Sequence, residues 1–409
     1  MTELADVEFA LCWHDARANH CDRRFVAGVT PAGDHLAGIP LAPLLGASPG
    51  ATITLHQGLL PGPTRAQQRV VTHRADWPAR FAGMAIAPRL GRWYPRQLLA
   101  AIAAIPAGSS PLRVVAIDGD DISVDLAPPL AIIDVTIEGR VHARRQGTAP
   151  APRDLLPLVA EHGPGLQAAL PDAATDFLAG DALARSDEAA DADFYAGPRL
   201  VDHLDTTALA ELAALHARFL QPGQQVLDLM ASANSHLPAN APALTVVGLG
   251  MNAAELAANP HLAESIVHDL NTAPELPCAS GRFDLVLCAL SVEYLIRPVA
   301  VFREVARVLK PGGIFLVTFS ERWFPPKAIK LWGELHPFER MGLALDYFCR
   351  SGDFADLATE SLRGLPRPPD DKYYRMTKLA DPIYAVWGTA RCQRQGGLGH
   401  QPPADLGDL

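Results

Sequence analysis

From Val7 to about Arg145, hydrophobic and polar positions alternate in short runs, "VEFALCW", "GATITL", "QRVVTHR", "LRVVAID", "DISVDL" and "AIIDVTIEGRV", separated by Gly and Pro. Period-two alternation over runs this short predicts antiparallel strands with one buried face, so this part reads as a mainly antiparallel β domain. After Arg199 the pattern changes. "QQVLDLM", "ALTVVGLG", "SIVHDL", "FDLVLCAL" and "GIFLVTF" are near-continuous apolar runs separated by stretches of helical character. Strands that are apolar throughout are buried on both faces, which predicts a parallel sheet between layers of helices.

Residues 146–195 lie between these regions and carry dense Pro and Gly with interleaved acids and no sustained period. They read as a connector with at most a short helix, ordered by docking. The end of the chain, "RQGGLGHQPPADLGDL", has the composition of a disordered tail. The expected organisation is therefore a β domain over 1–145, a connector over 146–195, an α/β domain over 196–390 and a tail over 391–409.

Composition supports two cores. The chain has 409 residues, 49% hydrophobic and 20% charged, which is long enough for two domains of ordinary size. The formal charge is -10 and no basic stripe occurs, which argues against nucleic acid as a partner. An acidic N-terminus and the shortness of the longest apolar run, "LLAAIAAIPA", argue against a signal peptide or a membrane span, and a cytoplasmic location is expected. Six cysteines without a C-x-x-C pair read as reduced, packing thiols. Cys12, His14, His20, Cys21 and Asp22 cluster in sequence, yet a turn separates the first two from the others, so no metal is expected there.

In open α/β sheets, ligands sit beyond the carboxyl ends of the strands, which directs attention to the residues that end each run. The first ends at Asp228 in "VLDLMASANS". This stretch resembles the first motif of class I S-adenosylmethionine (SAM) dependent methyltransferases, D-x-G-x-G-x-G, with Met230, Ser232 and Asn234 at the glycine positions. Further stretches are similar to later motifs of that family in the right order: "VVGLGMNAAELAANP", "IVHDLNTAPELP", "FDLVLCALSVEYLIRP" and "VFREVARVLKPGGIFLVTFS". The last is spelled much as type 11 methyltransferases spell it, and the resemblance covers Arg199 to Ala390.

The resemblance implies a Rossmann-like domain with a seven-stranded, mostly parallel sheet and S-adenosyl-L-methionine as cofactor. It assigns Asp228, Met230, Ala231, Ser232 and Asn234 to the methionine part of the cofactor. Asp269, Leu270 and Asn271 fall at the adenine, and Ser291 after the fourth strand. Gly250, with Met251 and Asn252 following, stands where the family offers an acid to the ribose, and Asn252 or Glu255 is the available substitute. Methyl transfer needs alignment more than a fixed catalytic group. Glu293 is a candidate general base with Tyr294 beside it, the alternative being that Glu293 caps a helix and Tyr294 packs. Trp323 and Phe324, with Lys372 and Tyr373 from the loop Pro366 to Leu379 of a final hairpin, are candidates for the substrate mouth. The acceptor, a small molecule or a protein, is not identified.

The N-terminal half resembles SlyD-like FKBP-type peptidyl-prolyl isomerases. "GDHLAGIPLAPLLGASPGATITLHQGLLPG" is similar to their middle helix and following strand, and "VVAIDGDDISVDLAPPLAIIDVTIEGRV" to their closing strands. Val135 and Ile137 stand where that family has an aromatic, and Pro128 replaces its turn histidine, which implies a substrate- or partner-binding α+β module without isomerase activity. Two other functions fit the same residues: a non-catalytic SAM-binding scaffold, and an isomerase or chaperone with a passenger methyltransferase domain.

Overall fold

We describe the protein from a computed structural model that covers residues 2–31, 33–61, 68–81, 83–105, 110–171 and 173–392. Most of the expected tail, 393–409, lies outside the described residues; Arg391 is fixed by bonds to Asp353 and Phe354.

Strands β1 (Thr2–His14) and β2 (Ala18–Val29) form a long hairpin. The Asp15 carboxylate closes it by accepting from the Arg17 and Ala18 amides at 2.8 and 3.0 Å. Helix α1 (Ala42–Leu45) leads into β3 (Thr52–Leu59). An insertion follows, with β4 (Arg69–His73), the small pair β5 (Arg80–Phe81) and β6 (Met84–Ala85), then β7 (Trp93–Tyr94), β8 (Leu112–Asp118) and β9 (Asp121–Asp125). Its sheet, β4-β9-β8-β7, has a core of its own around Trp77, Leu112, Val114, Ile122 and Val124. Strand β10 (Asp134–Gly147) then returns between β1 and β3.

The connector is packed along both halves. Leu155, Leu156 and Val159 join the core under β1 and β10, whereas Phe177 and Ala182 join the core of the C-terminal half. Its short helix α2 (Asp191–Phe194) ends beside the cofactor edge described below.

Helix α3 (Thr206–Ala217) starts at Asp205, whose carboxylate accepts from the Ala208 amide. In order follow β11 (Gln225–Leu229), β12 (Thr245–Gly250), α4 (Ala253–Ala258), β13 (Leu262–Val267), β14 (Phe283–Ala289), α5 (Pro298–Val308), β15 (Leu309–Phe319), α6 (Lys330–Glu334), α7 (Pro337–Ser351), β16 (Phe354–Arg363) and β17 (Ile383–Ala390). The strands lie in the order β13-β12-β11-β14-β15-β17-β16; the first five are parallel, and β17 runs antiparallel between β15 and β16. Helices α5 and α7 cover one face through Phe302, Tyr347 and Phe348, which pack on Phe315 of β15, and α3 covers the other through Leu212 and Leu215. Reversal of the strand order at β11 and β14 opens a crevice above their carboxyl ends.

The sheet does not stop at β16. That strand pairs in parallel with β2, from Leu357 opposite Ala18 to Arg363 opposite Arg24, so both halves share one sheet of 11 strands ending in β2-β1-β10-β3. The seam is polar. His20 Nδ1 bonds Thr359 Oγ1 at 2.8 Å, Ser361 Oγ donates to Asp22 at 2.9 Å, and Glu360 pairs with Arg23 and Arg218 at 3.3 and 2.7 Å. The expected domain boundaries thus divide the chain but not the sheet. Strand β2 itself is absent from the predicted set, because its buried positions include His20 and Asp22 and so lack an apolar alternation.

The cysteine reading is corrected. The hairpin register places Cys12 opposite Cys21, and their sulfurs are joined in a disulfide. Sequence spacing hid this because the turn folds the two halves of "CWHDARANHCD" onto each other. Trp13 and His20 stack beside the link at 3.8 Å. Among the described residues no group of His, Cys, Asp and Glu is arranged to hold a metal, and no helix is long and apolar enough to cross a membrane.

Candidate functional site

The crevice above β12, β11 and β14 is a cavity of about 1030 Å³, counted out to its mouth. The run from Met230 to His236 forms its floor. Met230 takes a positive φ of 59°, a conformation that favours glycine, so the turn keeps the geometry of a glycine loop without the residue. Glycine has moved across the crevice instead. A Cβ at Gly250 would overlap the Ala231 carbonyl oxygen, and the Ala231 amide donates to Leu249 O at 2.8 Å. The close approach of these two backbones explains why no acid occupies position 250.

Glu255, on α4, brings a carboxylate to the same wall. It accepts from Ser232 Oγ at 2.7 Å and from the Arg199 amide at 2.6 Å. Asn252 is committed elsewhere: its carbonyl caps α4 and its amide donates to Tyr195 O and Ala196 O. Of the two substitutes offered by sequence for the ribose acid, Glu255 is the one that brings a carboxylate to the cavity. Asn234 donates to Asp202 at 2.8 Å.

Asp228, at the end of β11, is buried, with one carboxylate oxygen lacking any partner. Burial pushes its carboxyl up to about 7, against a lowering hydrogen bond from Ser235. On the opposite wall, Asp269 fixes its own turn by accepting from the Asn271 amide at 2.9 Å and Thr272 Oγ1 at 2.7 Å. Asn271 donates to Tyr294 O and to Asp191 Oδ2. Ser291 Oγ donates to Ala289 O at 3.0 Å.

The front of the cavity is a cover from the connector. Asp191 accepts from Arg185 at 2.6 Å and pairs with the fully buried Lys327 at 3.3 Å, while Lys327 also donates to Ala189 O at 2.6 Å. Arg199 lies over the rings of Phe194, Tyr195 and Phe324 at 4.7 to 5.5 Å, and Tyr294 stacks on Phe324 at 6.1 Å.

All twelve residues assigned to the cofactor, Asp228, Met230, Ala231, Ser232, Asn234, Gly250, Met251, Asn252, Asp269, Leu270, Asn271 and Ser291, line this one cavity. Of the catalytic pair, Tyr294 lines it, its hydroxyl accepting from the Phe324 amide at 2.9 Å. Glu293 is not in the lining. Both of its carboxylate oxygens are buried without partners, and burial pushes the carboxyl up to about 7. Of the mouth residues, Phe324 reaches the cavity, whereas Trp323 lines a neighbouring one. Lys372 and Tyr373 line neither, and Tyr373 sits under Arg322 at 4.1 Å. Sequence reasoning missed the cover residues Asp191, Tyr195, Arg199 and His203, which fall in or just after the connector and outside every quoted motif.

Comparison with known proteins bears on this region. Residues 231–317 match the family described as methyltransferase domain. Over 95 residues, 23% of this chain, it is 34% identical to the ubiquinone/menaquinone biosynthesis C-methyltransferase UbiE of Laribacter hongkongensis, and the chain spans 38% of that relative's length. Solved structures with a similar region include a Haloferax volcanii chain in complex with the Trm112 methyltransferase activator, 19% identical with a TM-score of 0.33, aligned over 46% of this chain and 95% of that one. The YcgJ protein of Bacillus subtilis is 15% identical with a TM-score of 0.33, over 44% and 99%. Residues 231–317, in the C-terminal half of the chain, thus match a methyltransferase domain, and S-adenosylmethionine is the cofactor this implies.

Proposed function

We propose that this protein transfers a methyl group from S-adenosylmethionine to an acceptor, with the cofactor held in the crevice above β12, β11 and β14. The observation that carries this reading is the unpartnered carboxylate oxygen of Asp228, buried in the wall of a cavity most of whose lining falls within the matched residues 231–317. A buried carboxylate without a partner is costly, and a ligand that brings a positive charge removes that cost.

The residues fit the cofactor's groups. Asp228 takes the ammonium of the methionine part, Glu255 the ribose hydroxyls in place of an acid at Gly250, and the Asp269–Asn271 turn the adenine edge. Bound there, the cofactor supplies a methyl group already activated by a sulfonium. The protein aligns and excludes water. Tyr294, Phe324 and Tyr195 wall the front, and the Asp191–Lys327 anchor holds that cover down. Glu293, sealed from the cavity, is assigned no proton transfer, and alignment alone serves the reaction.

The N-terminal half is read as an FKBP-like module turned to structural and acceptor-binding use. Support comes from its antiparallel order β2-β1-β10-β3 with a second small sheet inserted between β3 and β10. Val135 and Ile137 are buried core residues of this module, so no aromatic isomerase pocket is proposed.

Calorimetry with S-adenosylhomocysteine tests the reading. The protein binds it, and Asp228→Asn weakens binding by about tenfold or more, about 1.4 kcal/mol. No heat at millimolar ligand refutes the proposal.

A further inference from the structure

A second hollow, about 1140 Å³ counted out to its mouth, opens on the same edge of the sheet. It lies over the ends of β15 and β16, the start of β17 and the neighbouring part of β2, bringing Glu321, Arg363, Tyr384 and Arg24 together. Both halves of the chain build it.

Its charge is predominantly positive, with four arginines against Glu321 and Asp381. Arg24, Arg340 and Arg363 line it, and among the described residues none of the three is in an ion pair, while the Arg24 side chain has no hydrogen-bond partner. The acids in the lining are already engaged. Asp381 pairs with Arg367 at 2.6 Å and Arg322 at 2.8 Å, and Glu321 accepts from Tyr384 at 3.1 Å. Elsewhere in this acidic chain arginines find carboxylates, as Arg23, Arg153 and Arg185 do.

Two of the guanidiniums are also oriented. Arg340 lies 4.3 Å over Trp323 and gives Nε to Trp332 O at 2.8 Å, while Arg363 lies 4.7 Å over Phe338 and gives Nη1 to His162 O at 3.1 Å. A guanidinium stacked on its face keeps its N–H edge for an acceptor in its plane, which is the geometry that carboxylates and phosphates satisfy. Burial, with the positive charge of Arg363 next, holds the Arg24 guanidinium down to about 10.

We infer that this cavity binds the anionic group of the methyl acceptor, a small organic carboxylate or phosphate whose apolar body rests against Trp323. The two cavities are lined by consecutive residues, Trp323 in this one and Phe324 in the other. From β14 to β17 is two strand spacings, about 10 Å, so the acceptor is long enough to cross that distance with its anionic end held. The inference rests on the methyl-transfer reading for the word acceptor, but anion binding itself does not.

The test titrates benzoate, inorganic phosphate and the uncharged benzamide into the full chain, with and without S-adenosylhomocysteine. Saturable binding of benzoate or phosphate is expected, weakened by about tenfold or more in Arg24→Gln and in Arg363→Gln, with no binding of benzamide. The stronger of the two anions identifies the acceptor's charged group. Both variants should keep S-adenosylhomocysteine affinity within about twofold, which shows that they are folded. Absence of saturable binding by both anions, binding unchanged in both variants, or equal binding of benzamide overturns the inference. Failure of the unmodified protein to bind S-adenosylhomocysteine strikes the methyl-transfer reading instead and leaves the anion result standing.

Discussion

Asp228 holds its proton at pH values where the unfolded chain has released it, because burial moves its carboxyl from 3.8 to about 7. The folded state then binds more protons than the unfolded state between these values, so stability falls as pH rises from about 4 to about 7. The loss is at most roughly 4 kcal/mol. Asp228→Asn removes that dependence, and its melting temperature should exceed that of the parent protein at pH 8 while cofactor binding weakens. A cationic ligand reverses the local balance by favouring the carboxylate. Affinity for S-adenosylmethionine should therefore climb about tenfold per pH unit below 7 and level off above it, with proton release visible in calorimetry run in two buffers. Glu255 makes a simpler prediction. Glu255→Gln should lose about tenfold in cofactor affinity, and an unchanged affinity removes it from the ribose site. Asp228 was legible in sequence because it lies at the end of an apolar strand, and Asp269 because its turn resembles a family motif, whereas the strand before it, β13, is largely exposed. The compensation at Gly250 was not legible, since the overlap involves a backbone carbonyl 19 positions away in the chain.

Elements differ in how openly they declare themselves. The parallel strands β11, β12, β14 and β15 are buried on both faces and appear as apolar runs. Strand β2 alternates buried with more exposed positions, and it spends buried ones on His20 and Asp22, which bond Thr359 and Ser361 across a separation of 339 residues. No local pattern can announce a partner that far away. The cover segment around α2 is similar: its anchor is Asp191, and the opposing charges are Arg185 and Lys327. Asp191→Ala removes the carboxylate that Arg185 and Lys327 share and leaves them only the more exposed Glu188 and Asp187, so it should cost about 2–3 kcal/mol, together with cofactor affinity, in denaturation and binding measurements. Lys327→Met removes a cation while Arg185 still pairs with Asp191, so its cost should be smaller, about 1–2 kcal/mol. Equal losses in the two variants would mean that the anchor is not organised around Asp191.

At the level of the whole molecule, domain boundaries read from composition miss the main fact, which is that β2 and β16 cover each other's edges. An open strand edge is a template for pairing with other chains. Fragments 1–150 and 196–392, expressed apart, should each aggregate in light scattering where the intact chain stays dispersed, and mixing them during refolding should restore solubility. Two fragments that are both monomeric when separate would show that the seam is dispensable.

The same seam sets a clock on biosynthesis. The edge of β2 is made early and its partner residues on β16 follow 339 positions later, which at about 5–20 residues per second is a wait of roughly 20 to 70 seconds. Throughout that interval the nascent N-terminal half carries an uncapped edge in a crowded compartment, so the yield of this protein in cells should track translation speed and chaperone supply more steeply than its equilibrium stability does.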